Sequence, residues 1–322
     1  MKAENISKKM KRLIWIILFF FFLTSLFSFS FAKPKIGIAL GEGGERLFVH
    51  IGVLKALEKE GVELDCIAGT SAGAIVGGLY ALWKDINKVE EYLLNLDFTR
   101  YYNYHIKDIE LKDIDESIFI LFYWEWEKDK VEPRWIQGIM DGKDIRDELD
   151  RLTNWASFEY DLKIPFKTVA TDLLTGEKVI LDKGRISNAV AASISIPGTF
   201  IPFEWEEKIL VDGGLKDPVP VDIVREMGAD IVIGVNLREV RDNQSQKLNN
   251  ILSITLRSIY IMLEELGDYS SSSADVLIKP HYIGKLSYDM RKEEREKLIR
   301  LGEEETLKIM PFLKSLLNSY EF

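Results

Sequence analysis

Two strand–turn–helix units follow each other near the beginning of the chain and constrain the fold more than any other feature. The first combines the apolar stretch 35–40, a turn rich in glycine and the apolar-periodic segment 49–57. The second combines the short strand 65–68, the turn 69–73 and a helix of small residues at 74–83. Because consecutive units of this kind form a parallel sheet with helices on both faces, the sequence predicts an α/β fold.

The rest of the chain continues this alternation, with no internal repeat and no long linker. Apolar runs bounded by turn residues predict further strands at 166–171, 177–181, 208–211, 231–235 and 276–279. Apolar residues at helical spacing predict helices at 88–96, 144–152, 219–227, 248–266 and 291–317. With 47% hydrophobic residues among 322, the chain can bury one large core, which favours a single domain.

Residues 98–135 are rich in Phe, Tyr and Trp but show no clean period. Since Trp and Tyr favour the membrane interface, one interpretation is a lid or a lipid-facing surface. The other is that these rings pack a helical flank onto the core.

Residues 1–32 have the composition of a secretory signal. Basic residues between positions 8 and 12 precede the apolar stretch 13–26, and Ser30 and Ala32 are small residues at the spacing that a signal peptidase recognises. An uncleaved N-terminal anchor is the alternative, because the apolar run can be extended far enough to cross a bilayer. Either interpretation places the bulk of the protein beyond a membrane, in the periplasm, in the cell envelope or outside the cell.

The overall charge and the cysteine content argue against several classes of protein. A net charge of -10 with only short basic clusters is unlike that of a nucleic-acid-binding protein. The only cysteine, Cys66, cannot form a disulfide framework or a cysteine-rich metal site, and its apolar surroundings predict a buried thiol.

The segment Gly69-Thr70-Ser71-Ala72-Gly73 matches the nucleophile-elbow pattern G-x-S-x-G and lies between a predicted strand and a predicted helix. The glycines at 69 and 73 are expected because strand and helix approach each other closely around a strained serine. The start of a helix also favours negative charge, as on a serine alkoxide or a tetrahedral oxyanion. Ser71 is therefore the candidate nucleophile.

A glycine-rich turn, residues 41–46, follows the first strand. As a dinucleotide-binding loop it fails, because the third glycine of G-x-G-x-x-G would fall at Arg46. The better interpretation is an oxyanion hole formed by the backbone N–H groups of Gly43 and Gly44. Loss of one such donor typically costs about 3 to 4 kcal/mol of transition-state stabilisation.

Asp212 ends a predicted strand and is followed by Gly213 and Gly214. A carboxylate at the carboxyl end of such a strand faces the crevice in which open α/β sheets bind ligands. Partial burial would raise the pKa of Asp212 and make it a better acceptor for a serine proton.

Three histidines leave two mechanisms open. His50 lies near the glycine turn, where a packed residue on an inner helix face is expected, and His105 lies in the aromatic segment. His281, near the end of the last predicted strand, would complete a Ser71–His281–Asp212 triad in the order that α/β-hydrolases use. A dyad of Ser71 and Asp212 is the other possibility.

Taken together, these motifs resemble the bacterial patatin-like phospholipases over most of residues 35–237. The matching segments are 36–46, 50–57, 69–73, 169–176, 192–198, 212–214 and 217–220. The resemblance implies a three-layer αβα sandwich with a mostly parallel sheet, and one catalytic domain at 33–322 in which residues 238–322 form a closing α/β segment. It also implies a Ser-Asp dyad that needs no metal and no cofactor.

Carried over by position, the resemblance implies that Ser71 is the nucleophile, Asp212 the base, Gly43 and Gly44 the oxyanion donors and Arg46 a support for the glycine turn. The product would be a fatty acid released from a phospholipid or another acyl-ester lipid, through an acyl-enzyme. The sequence contains no indication of head group, acyl position, chain length or oligomeric state.

The glycine turn departs from the family pattern at three positions. Glu42 replaces a glycine, Glu45 a small residue and Leu47 a glycine. A left-handed Leu47 would cost about 1 to 2 kcal/mol, and an ionised Glu42 about 5 Å from the oxyanion would repel it by roughly 3 kcal/mol. Pairing of Glu42 with Arg46, or its exposure to solvent, would remove that repulsion. A catalytically weakened lipid-binding protein of the cell envelope is therefore the alternative function.

Overall fold

The structure, a computed structural model, describes residues 10, 15, 33–101, 122–127, 130–135, 140, 142–238, 240–242, 251–284, 286–287 and 289–320. The chain divides into a large unit, Lys35–Lys314, and a small one made of Met1–Pro34 and Ser315–Phe322. The predicted signal or anchor at 1–32 lies outside the described residues apart from Met10 and Trp15, and the single domain at 33–322 stays a prediction. No helix in the described part of the chain is long and apolar enough to span a membrane.

The strands agree with the sequence-based prediction wherever one was made. They are β1 (Ile36–Leu40), β2 (Cys66–Thr70), β3 (Phe122–Glu127), β4 (Lys130–Trp135), β5 (Phe166–Asp172), β6 (Lys178–Leu181), β7 (Phe203–Trp205), β8 (Lys208–Asp212), β9 (Ile231–Val235), β10 (Val240–Asp242), β11 (Val276–Ile278) and β12 (Tyr282–Gly284). Strands β3, β4, β7, β10 and β12 were not predicted.

The helices match the prediction equally well, with one addition. They are α1 (Leu47–Lys59), α2 (Ala72–Trp83), α3 (Ile86–Asn95), α4 (Lys143–Thr153), α5 (Ile186–Ser193), α6 (Val221–Glu226), α7 (Ile251–Ser271) and α8 (Lys292–Asn318). Helix α5 was not predicted, because its small residues show no clear apolar period.

The main sheet is mostly parallel, as expected. Among the described residues it contains eight strands, and β11, β9, β1, β2 and β5 lie side by side in parallel. Strands β6 and β8 pair antiparallel with β5, and β7 pairs antiparallel with β8. Two further pairs, β3 with β4 and β10 with β12, stand apart from this sheet.

Helices cover both faces of the sheet. On one face, Ala39, Ala68 and Val232 pack against Val224 of α6 in a buried cluster. On the opposite face, the glycines of α2 allow close packing, and Gly77 lies against Ile67 and Leu40. The observed three layers confirm the predicted αβα sandwich.

Cys66 is a buried free cysteine in the face that packs on α6, as predicted. Burial raises the pKa of its thiol to about 11, so the reactive thiolate is scarce at neutral pH.

The aromatic segment lies mostly outside the described residues. Phe98, which is described, packs edge-on against Phe48 of α1 with ring centroids 6.1 Å apart. For this one ring the packing interpretation is correct, and the proposed lid or lipid-facing surface stays a prediction.

Candidate active site

Two strands meet end to end along one edge of β5. Thr70, the last residue of β2, pairs with Val169, and Asp212, the last residue of β8, pairs with Ala170. Strand β6 pairs with both Val169 and Ala170, so it occupies the opposite edge, because each edge of a residue pairs with one strand. The carboxyl ends of β2 and β8 therefore approach each other one residue apart on β5, and Ser71 and Asp212 lie at the junction.

Ser71 forms a strained turn between β2 and α2. Its backbone has φ 53° and ψ -113°, a left-handed conformation that costs a residue with a side chain about 1 to 3 kcal/mol. A Cβ atom on Gly69 would collide with the carbonyl oxygen of Gly73, and one on Gly73 with the carbonyl oxygen of Leu40. The close approach that the elbow pattern predicts is therefore present.

Asp212 is buried and only partly satisfied. Its Oδ1 accepts a hydrogen bond of 2.7 Å from the N–H of Gly214, whereas its Oδ2 accepts none within the described part of the chain. Burial raises the pKa of Asp212 to about 6, although the Ser71 hydroxyl and the Gly214 N–H both act to lower it. The direction of the shift confirms the expectation from sequence.

The Ser71 hydroxyl acts to lower the pKa of the Asp212 carboxyl, yet Oδ2 of Asp212 accepts no hydrogen bond among the described residues. Such contacts are often loose in a free enzyme and tighten when substrate binds. Proton transfer from Ser71 to Asp212 therefore requires the hydroxyl to form a hydrogen bond with Oδ2.

A short segment at the end of α5 holds both residues in place. The N–H of Ser71 donates to Oγ of Ser193 at 2.9 Å, and the N–H of Asp212 donates to the carbonyl oxygen of Ser195 at 2.9 Å. Both serines are buried. Segment 192–198 is part of the family resemblance, but nothing in its sequence indicates this function, since serine is common in many structural roles.

The backbone N–H groups of the glycine turn differ in whether they donate hydrogen bonds within the protein. The N–H of Gly41 donates to Val235 at 3.0 Å and that of Glu42 to Pro218 at 2.9 Å. The N–H groups of Gly43 and Gly44 donate to no other group in the described part of the chain, and Gly44 lines the same cavity as Ser71. These two amides are available to bind a ligand oxygen.

The side chains of Arg46 and His50 both form hydrogen bonds with backbone carbonyl oxygens of the glycine turn. Nε of Arg46 donates to the carbonyl oxygen of Gly43 at 2.7 Å, as its assignment as a supporting residue predicts. Nε2 of His50 lies 2.7 Å from the carbonyl oxygen of Gly41, and burial lowers the pKa of His50 to about 4, so the ring is neutral and Nε2 donates. His50 is a packed residue, as expected.

None of the three departures from the family pattern has a left-handed backbone, since Glu42, Glu45 and Leu47 all lack a positive φ. Leu47 has φ -49° and ψ -29°, a right-handed conformation, and is the first residue of α1. Glu42 neither pairs with Arg46 nor faces solvent, so that part of the prediction is wrong. Its carboxylate contacts the guanidinium of Arg238 instead.

His281 is not positioned for a catalytic triad. It is exposed and follows β11, which lies three strand spacings, or about 14 Å, from β2. Neither carboxyl oxygen of Asp212 is bound to it, since Oδ1 binds Gly214 and Oδ2 has no partner among the described residues. His105 lies outside the described residues.

An apolar cavity opens beside Ser71 and Gly44. Its other lining residues come from helices α1 to α4 and from positions 96, 98, 140 and 194–200, and they are Leu47, Ala72, Ile75, Leu79, Tyr92, Leu93, Leu96, Phe98, Met140, Ile145, Glu148, Leu149, Ile194, Ile196, Thr199 and Phe200. Most of these side chains are hydrocarbon, so the cavity suits an alkyl chain. Among the described residues, no His, Cys, Asp and Glu side chains are grouped so that they could hold a metal ion.

Comparison with known sequences identifies proteins related to this chain. A family model described as patatin-like phospholipase matches residues 38–225. An uncharacterized NTE family protein of Mycobacterium tuberculosis is 33% identical over 206 residues, which make up 64% of this chain and 50% of the relative. Lysophospholipase NTE1 of Candida albicans is 27% identical over 240 residues, 74% of this chain and 15% of the relative. The chain thus spans half or less of the length of these relatives.

Among solved structures, VipD from Legionella pneumophila is similar in fold. The two chains align with a TM-score of 0.51 and 13% identity, covering 90% of this chain and 67% of VipD. At this identity the likeness concerns the fold alone.

We predict that Gly73→Ala destabilises the protein by about 2 kcal/mol or more, because the added methyl group must push α2 away from β1. Gly61→Ala is the control, since Gly61 has a positive φ but open space around it and should lose only about 1 kcal/mol. Urea denaturation measures both. Equal losses in the two variants would contradict the close packing of the elbow.

We predict that Asp212→Asn stabilises the fold at pH 8 but not at pH 4. The folded-state pKa of about 6 exceeds the ordinary 3.8, so the stability that protonated Asp212 provides is full below about pH 4 and is lost as the pH rises through 6. Removing the charge should therefore recover up to about 3 kcal/mol at pH 8. Denaturant midpoints at the two pH values test this, and an equal effect at both would contradict the burial of an ionised carboxylate.

Proposed function

Because the chain belongs to the patatin-like phospholipase family, we propose that it is a lipid acyl hydrolase with Ser71 as nucleophile and Asp212 as general base. The observation that carries this proposal is the junction of β2 and β8 on β5. It sets a strained serine beside a buried carboxyl whose Oδ2 accepts no hydrogen bond within the described residues.

In the acylation step, Oγ of Ser71 attacks the ester carbonyl carbon while its proton moves to Oδ2 of Asp212. A carboxylate with a pKa of about 6 accepts this proton more readily than one at 3.8, because its basicity is closer to that of the reacting group. The tetrahedral intermediate then expels the alcohol, which takes the proton from Asp212. The acyl group remains on Ser71 as an ester.

The negative oxygen of the tetrahedral intermediate would lie against the N–H groups of Gly43 and Gly44. The start of α2 at Ser71 adds a favourable field for the same charge. Neither N–H donates to another group in the described part of the chain, so both would be free to bind the developing charge.

Deacylation would use the same two residues, with water as the nucleophile. Water takes the place of the alcohol, Asp212 removes its proton, and the acyl carbon passes through a second tetrahedral intermediate. The fatty acid leaves, and Ser71 recovers its proton from Asp212.

The apolar cavity beside Ser71 supports an acyl chain as the bound group, and phospholipids or lysophospholipids are the proposed substrates. One relative bears the name lysophospholipase, which agrees with this choice. Export beyond a membrane and contact with a lipid surface belong to the same proposal and rest on segment 1–32 and on the substrate class.

The alternative of a catalytically weakened lipid-binding protein rested on the altered glycine turn. Leu47 carries no left-handed strain, and the Glu42 carboxylate is directed to Arg238 rather than being left unpaired. No observation on the described residues favours the binding role over the enzyme.

We predict that kcat/KM for a soluble ester is level above about pH 7 and falls about tenfold for each pH unit below 6. Asp212 accepts a proton only when ionised, and its pKa is about 6. A pH–rate profile between 4.5 and 9 measures this. Full activity at pH 5 would contradict Asp212 as a base with a raised pKa.

We predict that a fluorophosphonate labels the wild-type protein on Ser71 and that labelling disappears in Ser71→Ala. A panel of phospholipids and lysophospholipids should show hydrolysis by the wild type and a loss of at least about a thousandfold in Ser71→Ala and Asp212→Ala. Ser195→Ala is a matched control, because it removes a hydroxyl near the site but keeps the carbonyl oxygen that holds Asp212. A wild type that neither labels nor hydrolyses any lipid would support the binding role.

A further inference from the structure

Glu42 stands where the family pattern has a glycine, and the dyad mechanism does not use it. Its side chain is 16% exposed and its Oε1 contacts Nη2 of Arg238, whose side chain is 6% exposed. A buried charge of this kind needs a compensating partner, and each of these residues supplies one for the other.

The Glu42 carboxylate lies against the turn that follows Asp212. Its Oε2 occupies the space that a side chain on Gly214 would need, and Oδ1 of Asp212 lies 3.0 Å from the same point. Oε2 of Glu42 and Oδ1 of Asp212 are therefore at most about 5 Å apart, a range in which one charge affects the other strongly inside a protein. Glu42 is not among the residues that line the apolar cavity beside Ser71.

Arg238 is held rigidly behind this turn. Its N–H donates to Oδ1 of Asn236 at 3.0 Å, and Nδ2 of Asn236 donates to Asp268 and Ser271 of α7, each at 3.1 Å. Gly267 of α7 leaves room for the arginine, since a Cβ atom there would lie 3.2 Å from Cγ of Arg238. These contacts fix the backbone and the aliphatic part of Arg238, while its Nε and Nη2 donate no hydrogen bond among the described residues.

On the proposed function given above, we propose that Glu42 and Arg238 are positioning residues of this site. Their ion pair joins the glycine turn to the Asp212–Gly214 turn and neutralises a negative charge that would otherwise face Asp212.

The other charged groups nearby do not remove the positive charge of Arg238 that neutralises Glu42. From α7, Glu264, Asp268 and Tyr260 face Arg238, whose pKa burial lowers to about 10, so the arginine stays charged at neutral pH. Arg46 is bound to the carbonyl oxygen of Gly43, on the glycine turn itself.

The Asp212 carboxyl faces Ser71 and the Gly214 N–H, neither of which is charged. Asp217, five residues further on, is paired with Lys178 at 3.0 Å, and Asp222 is paired with the same lysine at 2.5 Å. Replacement of Arg238 would therefore leave Asp217 and Asp222 paired and would remove the partner of Glu42.

The test compares pH profiles of kcat/KM, or of the rate of fluorophosphonate labelling, in the full chain. Arg238→Met leaves Glu42 charged beside Asp212, so the acid limb should move up by roughly 1 to 2 pH units. Glu42→Gln leaves the arginine alone, so the limb should move down by about 1 unit. In the double variant the limb should return to within about 0.3 units of the wild type, because both charges are gone.

Two controls change the same charges elsewhere on the surface. Arg225→Met breaks the pair with Asp275, and Glu206→Gln alters an exposed carboxylate, so neither should move the acid limb. If Arg238→Met fails to fold, Glu42→Gln, which keeps the shape of the side chain, carries the test alone.

Opposite shifts in the two single variants, cancelled in the double variant, support the proposal. Single variants that lose activity or melting temperature while the acid limb stays at the wild-type pH overturn it, since a purely structural pair would behave in that way. These outcomes differ from a failure of the proposed function, in which the wild type itself neither labels nor turns over an ester.

Discussion

The pairing of β2 and β8 along the same edge of β5 determines where every group of the site lies. Thr70 and Asp212 pair with adjacent residues of β5, so the serine that follows Thr70 and the carboxyl of Asp212 have little freedom to separate. The glycine turn reaches the same point because β1 lies beside β2 in the parallel sheet. Hydrogen bonds from Ser71 and Asp212 to the end of α5 fix the two residues from a third direction. Backbone pairing, rather than contact between the side chains of Ser71 and Asp212, therefore holds these two residues next to each other.

Burial determines the pKa of Asp212 and the strength of the electrostatic interactions around it. Water is largely excluded from the Asp212 carboxyl, which raises its pKa to about 6 and makes it a usable base close to neutral pH. In the proposed mechanism, the same exclusion would strengthen the interaction of an oxyanion with the N–H groups of Gly43 and Gly44. It also makes an unpaired charge costly, and the carboxylate of Glu42 has Arg238 as its partner. Strain at Ser71 and burial of Asp212 both lower stability, as is common where a fold is shaped for reactivity.

The sequence alone predicts the αβα sandwich and the positions of Ser71, Asp212 and the glycine turn, because each rests on a local pattern. Strong apolar runs define β1, β2, β5 and β9, and close backbone approach requires the glycines of the elbow. Contacts between distant segments cannot be found in this way. Helix α5 and its serines have no periodic pattern, and nothing near position 42 indicates a partner 196 residues away at Arg238. His281 fits a triad by order in the chain, but its strand lies too far from the junction for it to act there.

A crystal structure of the protein after reaction with a fluorophosphonate would test the central claim most directly, because the phosphonyl group mimics the tetrahedral intermediate. The account predicts a covalent bond to Oγ of Ser71, a phosphonyl oxygen 2.7 to 3.1 Å from the nitrogens of Gly43 and Gly44, and Oδ2 of Asp212 beside the modified serine. The alkyl substituent should occupy the apolar cavity. Modification of a different residue, or a phosphonyl oxygen that points away from both amides, would contradict the account.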